Sequence, residues 1–277
     1  MKIITELCQN HNGDLEILEA MIKASANNSD ILKIQSIKAD TLTYREEYEK
    51  FRRYEDELER FKNIELTEQA ERFFIAKCKE NNVESMTTVF TPEHKDYFNN
   101  LGYDNLKLSG YSIPYFDYGN KLIGFNFDTL YFSTSSLTLK EIEKTIKNLR
   151  RLRINFYMMH CVCVYPTPLE KANLQNIRFY KDYFSLKNVG YSDHSNPYED
   201  NLLTTKLAIF EGAEVIERHF TILDKDKTRD GKVSITPKML EKLKNFTKLS
   251  KREQYTEINK FNDQQIFNHD YYRGRFK

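Results

Sequence analysis

The sequence predicts a (β/α)8 TIM barrel, an α/β fold in one domain. Three observations carry the prediction. Eight short β-rich runs alternate with helix-like stretches along most of the 277 residues. The runs are near-continuously apolar, as in parallel strands covered by helices. Eight units favour closure over an open sheet, and the chain carries neither Gly-x-Gly-x-x-Gly nor Gly-x-x-x-x-Gly-Lys-Ser/Thr.

The first unit is a strand over Lys2–Glu6 and a helix over Leu15–Ala26, with Asp14 placed to cap it. A strand over Asp30–Gln35 follows, then a long charged insertion, Asp40–Glu65, which reads as a lid, a partly helical loop or a solvated charged helix. The helix over Thr67–Asn81 leads to a strand over Val83–Thr88, and that to a helix over Pro92–Asn100. The strand Asn105–Ser109 is paired with a helix over Pro114–Ile123. The strand Thr129–Ser133 precedes a helix over Thr138–Leu149, whose Thr138-x-x-Glu141 is a capping box. The last units are Asn155–His160 with Leu174–Phe184, Val189–Ser192 with Tyr198–Phe210, and Glu214–His219 with Pro237–Ser250. The barrel domain is placed at 1–254, and the polar, aromatic residues 255–277 read as a tail that packs on the barrel or on a partner chain.

Composition narrows the function. Forty-two basic residues against 41 acidic ones give a formal net charge of +1, which argues against bulk nucleic-acid binding. No apolar run approaches the roughly 20 residues of a membrane span. The N-terminus meets Glu6 before a signal-like core could form. Four cysteines without a CxxC pair fit a reduced, cytoplasmic setting.

In such barrels the C-terminal strand ends build the active site. Here those ends offer Glu6, Lys33, Gln35, Thr88, Thr91, Lys107, Ser109, Ser133, His160, Cys163, Ser192, His194, Glu217 and His219. His194 and His219 are 25 residues apart, one strand–helix–strand step, so both imidazoles can reach one rim and bridge a divalent metal; two hydrogen-bonded histidines without metal are the alternative. Lys33 and Lys107 interrupt apolar strands, which is costly unless each is paired with a carboxylate or faces an anion. With Thr91, Ser133 and Ser192 they could bind a small phosphate or carboxylate. The stiff loop Val164-Tyr165-Pro166-Thr167-Pro168 could hold Tyr165 over the mouth, and Asp230 either meets a polyhydroxylated substrate or lies in a surface turn.

These motifs resemble a known family. Thr5-Glu6-Leu7-Cys8-Gln9-Asn10-His11-Asn12-Gly13-Asp14 is similar to an A-E-x-G-x-N-H-x-G-[DS] opening. Leu32-Lys33-Ile34-Gln35, Phe90-Thr91-Pro92, Phe132-Ser133-Thr134 and His160-Cys161 with Tyr165-Pro166-Thr167-Pro168 follow in order. Gly190-Tyr191-Ser192-Asp193-His194-Ser195 and Ile216-Glu217-Arg218-His219-Phe220-Thr221 complete the set. Together they resemble the N-acylneuraminate (sialic acid) synthase family over roughly residues 1 to 250.

The resemblance implies condensation of phosphoenolpyruvate with a sugar aldehyde, giving a 3-deoxy-2-keto sugar acid and phosphate. It implies a divalent metal, Mn²⁺ before Mg²⁺ or Co²⁺, on His194 and His219. It implies that Lys33, Thr91, Lys107, Ser133 and Ser192, with Ser109 under a one-residue deletion, bind phosphoenolpyruvate. Gln35, Tyr165 and Asp230 would face the sugar, and Glu6 would manage protons or position water. Asp193 and Glu217 are candidates for orienting the imidazoles.

The sequence also departs from the family. Lys107-Leu108-Ser109-Gly110-Tyr111-Ser112 lacks the acid expected after the fourth strand, and Cys163 replaces an Asn or Ser. The family's small C-terminal antifreeze-like domain, which completes a homodimer site, is not expected in this length of chain. A non-catalytic binding or scaffold relative is therefore the competing expectation.

Overall fold

The computed structural model describes residues 1–259 and 263–275. Eight parallel strands close into a barrel in sequence order, β1 to β8. They are β1 Lys2–Cys8, β2 Ile31–Gln35, β3 Glu84–Val89, β4 Asn105–Leu108, β5 Thr129–Ser133, β6 Phe156–Cys161, β7 Val189–Asp193 and β8 Val215–His219. All eight fall where the apolar runs predict them, within a few residues at each end.

The described α-helices are α1 Leu15–Ser25, α2 Tyr54–Ile64, α3 Glu68–Glu80, α4 Lys95–Leu101, α5 Leu139–Arg151, α6 Gln175–Tyr183, α7 Pro197–Asp200, α8 Leu203–Phe210, α9 Pro237–Thr247, α10 Lys251–Ile258 and α11 Asp263–Tyr272. Their starts follow local chemistry. Asp14 accepts from the amides of Glu16 and Ile17, Thr138 and Glu141 form the capping box, and Thr236 caps α9 ahead of Pro237.

The structure corrects two expected helices. Over Pro114–Ile123 the chain makes 3-10 turns broken at Asp117, Tyr118 and Gly119, whose φ values are 45°, 53° and 102°. The left-handed run there interrupts any continuous helix. The expected Tyr198–Phe210 helix is split into α7 and α8 by Asn201 and Leu202, with φ of 49° and 65°. The Asp40–Glu65 insertion is partly helical, ending in α2, none of whose residues is buried. The expected boundary at 254 falls inside α10, where Tyr255 packs on Phe210 and Lys251 donates to the Ile209 carbonyl. Residues 260–262 and 276–277 of the expected tail lie outside the described residues. No described helix is long and apolar enough to cross a membrane.

The core has two parts. The larger joins the outer faces of the strands to the helices, with Leu32, Phe74, Leu106, Phe132, Ile216 and Phe220 among its fully buried members. The smaller fills the barrel: Ile4, Ile31, Met86, Tyr131, Met159 and Val215 pack on one another. Gly190 makes room for this plug, because a Cβ there would meet Met159 Sδ at 2.6 Å and the Val215 carbonyl at 2.7 Å. Side chains alternate along a strand, so residues two further on share the inward face. The plug thus sets what stands above it: Glu6, Lys33, Thr88, Ser133, Cys161 and Glu217.

Candidate active site

The layer above the plug is charged and buried. Glu6, Lys33, Lys107 and Glu217 are 1%, 1%, 6% and 2% exposed. Lys33 Nζ pairs with Glu6 Oε2, donates to Thr88 Oγ1 at 3.0 Å and lies 3.8 Å from Glu217 Oε1. Lys107 Nζ pairs with Glu217 Oε1 and reaches Ser192 Oγ at 3.5 Å. Ser192 Oγ in turn donates to Glu217 Oε1 at 3.0 Å. Two lysine side chains therefore face two carboxyl groups in one network. Burial pulls Lys33 down to about 7, with Glu217 opposing and Lys107 adding to the fall. Burial alone would raise the Glu217 carboxyl, but the attraction of Lys107 and Lys33 holds it low.

The histidines stand one step higher. Their ring centroids are 5.2 Å apart, and Tyr165 stacks on His194 at 4.1 Å. The Tyr165 hydroxyl is 2.9 Å from His194 Nε2, and His194 Nδ1 is 3.2 Å from the Val162 carbonyl. Burial pushes the phenol well up. The Val162 carbonyl can only accept, so Nδ1 of His194 carries a proton and donates to it. His219 differs. Its Nδ1 is buried and faces Asp230 Oδ2 at 3.4 Å. The Cys8 thiol donates to the same oxygen at 2.8 Å. Burial alone would raise the Asp230 carboxyl, but His219 and Cys8 outweigh it and hold it below the usual range. Burial, joined by Asp230, pushes the Cys8 thiol up.

Two loops bring this cluster together. The Asn10 amide donates to the Phe220 carbonyl and to Ser234 Oγ, both at 2.9 Å, tying the loop after β1 to the loop after β8. His11 Nδ1 accepts from the Gly13 amide at 3.0 Å, and burial lowers His11 to about 4. The loop after β7 is held by Asp193, which pairs with Arg218 at 2.8 Å and accepts from the Ser195 amide at 2.8 Å.

Other expected residues are distributed around this centre. Gln35 accepts from Gln9 at 3.3 Å, and Gln9 accepts from Arg60 of α2 at 2.9 Å, so the charged insertion reaches the rim. Thr91 is half-buried after β3, but Thr88 takes the bond from Lys33. Ser133 Oγ is engaged with Ser135, and Ser109 Oγ donates to Ser112 Oγ, both at 3.0 Å. A cavity of about 530 Å³ opens between the loops after β6, β7 and β8, lined by Pro166, Leu169, Asn196, Asp200, Lys225 and Lys232; neither histidine lines it.

Comparison with protein families matches the NeuB family over residues 21–256. The chain belongs to the NeuB family. It is 34% identical over 252 residues to the N,N'-diacetyllegionaminic acid synthase of Campylobacter jejuni, covering 87% of this chain and 73% of that protein. The Legionella pneumophila protein of the same name is 31% identical over 261 residues, covering 88% of this chain and 69% of that one. Among solved structures, the N-acetylneuraminic acid (sialic acid) synthetase of Leptospira borgpetersenii, in complex with citrate, matches with a TM-score of 0.79. At 23% identity, over 99% of this chain and 91% of that one, this match concerns the fold. The protein is thus an enzyme of the phosphoenolpyruvate-dependent synthase type.

Within the NeuB pattern several positions act differently from expectation. Asp193 and Glu217 do not orient the imidazoles: Asp193 binds Arg218, and Glu217 binds the lysines. His160 turns outward, stacking on Tyr191 and bonding the Ala172 carbonyl at 2.8 Å. Cys163 is exposed, whereas Cys161 lies inside, 3.8 Å from His194 Nδ1. Burial would raise the Cys161 thiol, but His194 and Lys107 outweigh it and lower it. Strand parity could have found Cys161, two residues on from Met159 of the plug. Gly110 has no space for a side chain, since a Cβ would meet the Ser135 carbonyl at 1.6 Å. Ser112 is fully buried and bonds back to the Ser109 carbonyl at 2.9 Å.

The same rim carries donors suited to a metal ion. His194 has both ring nitrogens engaged. His219 presents a buried nitrogen beside a carboxylate and a thiol, and Cys8, His219 and Asp230 offer ligand atoms within 4.8 Å of one another. The donor chemistry suits a divalent ion.

Proposed function

We propose that this enzyme condenses phosphoenolpyruvate with a sugar aldehyde to give a 3-deoxy-2-keto sugar acid and phosphate. The observation that carries the reading is the buried layer of Lys33, Lys107, Ser192, Glu6 and Glu217 at the C-terminal rim, directly beneath the histidines. The names of the relatives support it.

In this reading C3 of phosphoenolpyruvate forms the new bond to the aldehyde carbon, water adds at C2, and phosphate leaves with the bridging oxygen. Lys33 and Lys107 balance the phosphate and carboxylate charges in a site already organised for them. Their carboxylate partners keep both lysines in place before substrate arrives. Glu6, between Lys33 and Gln35, is positioned to take the proton from the attacking water. Tyr165 covers His194 from above and shields the aldehyde end of the pocket. A divalent ion held at His219 would supply Lewis-acid polarisation of the aldehyde.

Incubating the protein with phosphoenolpyruvate, a divalent metal salt and a panel of hexoses, N-acyl hexosamines and pentoses should release phosphate with at least one sugar. Absence of release across the panel would contradict the proposal.

A further inference from the structure

We propose that Arg60, in the insertion after β2, is a positioning residue: it fixes which way the side-chain amides of Gln9 and Gln35 face, and so how Gln35 meets Glu6. This rests on the proposed function in taking Glu6 and Gln35 to serve the condensation.

Four side chains stand in line. Arg60 Nη1 donates to Gln9 Oε1 at 2.9 Å, Gln9 Nε2 donates to Gln35 Oε1 at 3.3 Å, and Gln35 Nε2 reaches Glu6 Oε2 at 3.5 Å. The two ends decide the direction of the line. A guanidinium can only donate, and Glu6 Oε2 is already the acceptor of Lys33. Turning over either amide, or both, sets like against like at two of the three contacts. The order N–H to oxygen is kept along the whole line only with the amides as they stand.

Arg60 is itself held. Its Nε and Nη2 donate to the two oxygens of Glu57, one turn earlier, at 3.3 and 2.6 Å, and the guanidinium lies 4.4 Å over the Phe61 ring. This fork leaves Nη1 for Gln9. No residue of α2 is buried, yet the helix sits on the loop after β1 at a second point. A Cβ on Gly13, whose φ is 80°, would meet the Asn63 carbonyl at 2.9 Å. The guanidinium thus reaches Gln9 from a docked helix.

Loss of Arg60 removes the donor that holds the first amide. Gln9 can then turn over, and Gln35, no longer accepting from Gln9, can swing its oxygen toward Glu6 and be repelled. Lys107 and Ser192 stand outside the line, and Lys33 keeps Thr88. The effect therefore falls on Gln35 and Glu6 and spares the phosphate end.

The test compares Arg60→Met and Arg60→Lys with a control, Arg53→Met, whose parent side chain is 67% exposed on the same insertion. One readout is steady-state kinetics with phosphoenolpyruvate and an accepted sugar aldehyde. The other is the side-chain amide signals of Gln9 and Gln35 in full-length protein made with isotope-labelled glutamine. Arg60→Met should lower kcat/KM for the sugar about fivefold, the worth of one hydrogen bond, and keep KM for phosphoenolpyruvate within about twofold. Its Gln9 and Gln35 signals should move toward those of solvated glutamine. Arg60→Lys, which also can only donate, should restore most of both, and Arg53→Met should change neither. Unmoved amide signals in Arg60→Met, an equal rise in KM for both substrates, or no recovery in Arg60→Lys overturns the inference. No turnover by the native protein overturns the proposed function instead, and the amide signals then decide the inference by themselves.

Discussion

The Tyr165 hydroxyl lies 2.9 Å from Nε2 of His194 and covers that nitrogen of the imidazole. The same ring meets His219 edge-on at a centroid distance of 6.1 Å. One residue of the loop after β6 thus covers both histidines, while only His194 is hydrogen-bonded by it. Tyr165→Phe removes the hydroxyl and leaves the ring. His194 should then react several-fold faster with diethyl pyrocarbonate, followed by peptide mass spectrometry. Unchanged reactivity would show that the hydroxyl does not protect it.

Glu217 holds both lysines of the charged layer. Removing one partner of a buried ion network leaves uncompensated charge, at a cost of about 3–5 kcal/mol. Glu217→Gln should therefore lose roughly that much stability in urea unfolding. Adding Lys107→Met should restore part of it, because one of the stranded charges goes too. A neutral Glu217→Gln would mean the lysines find other partners.

Lys33, pulled down to about 7, is partly deprotonated near neutral pH. An entering phosphate favours its charged form, so phosphoenolpyruvate binding should take up protons at pH 7 to 8. Calorimetry in buffers of different ionisation enthalpy measures this. Enthalpies that do not vary with the buffer would contradict it.

His11 is lowered by burial to about 4 from its ordinary 6.5. Between those values the unfolded chain binds a proton that the folded chain does not, so stability rises with pH across the window and is lost as pH falls. A shift of this size is worth about 3 kcal/mol. Urea unfolding at a series of pH values should show that slope for the native protein and a shallower one for His11→Asn. Equal slopes would assign the loss to other groups.

Much of this site could be read from the sequence, for a simple reason. Lys33, Lys107, Ser192, Glu217 and His219 are polar residues at the ends of apolar strands, and strand parity carries them into the barrel once the fold is known. What could not be read depends on contacts made by closure. Cys8 and Asp230 are 222 residues apart and meet only because a bulge in β1 turns the thiol toward the loop after β8. The carboxylate beside each lysine also comes by closure, since Glu6 and Glu217 lie on β1 and β8 while Lys33 and Lys107 lie on β2 and β4. The failed helix over Pro114–Ile123 has a backbone cause, three consecutive left-handed residues that local composition did not announce. Asp193 serves Arg218 and not an imidazole, because the two face each other across the β7–β8 pair on the outer face.

The most direct test of the synthase reading uses phosphoenolpyruvate carrying heavy oxygen at the bridge between C2 and phosphorus. With an accepted sugar aldehyde and a divalent metal, the account predicts that the label leaves entirely in the released phosphate, because water supplies the C2 oxygen of the keto acid. Label retained in the sugar acid, or no turnover with any aldehyde, would contradict it.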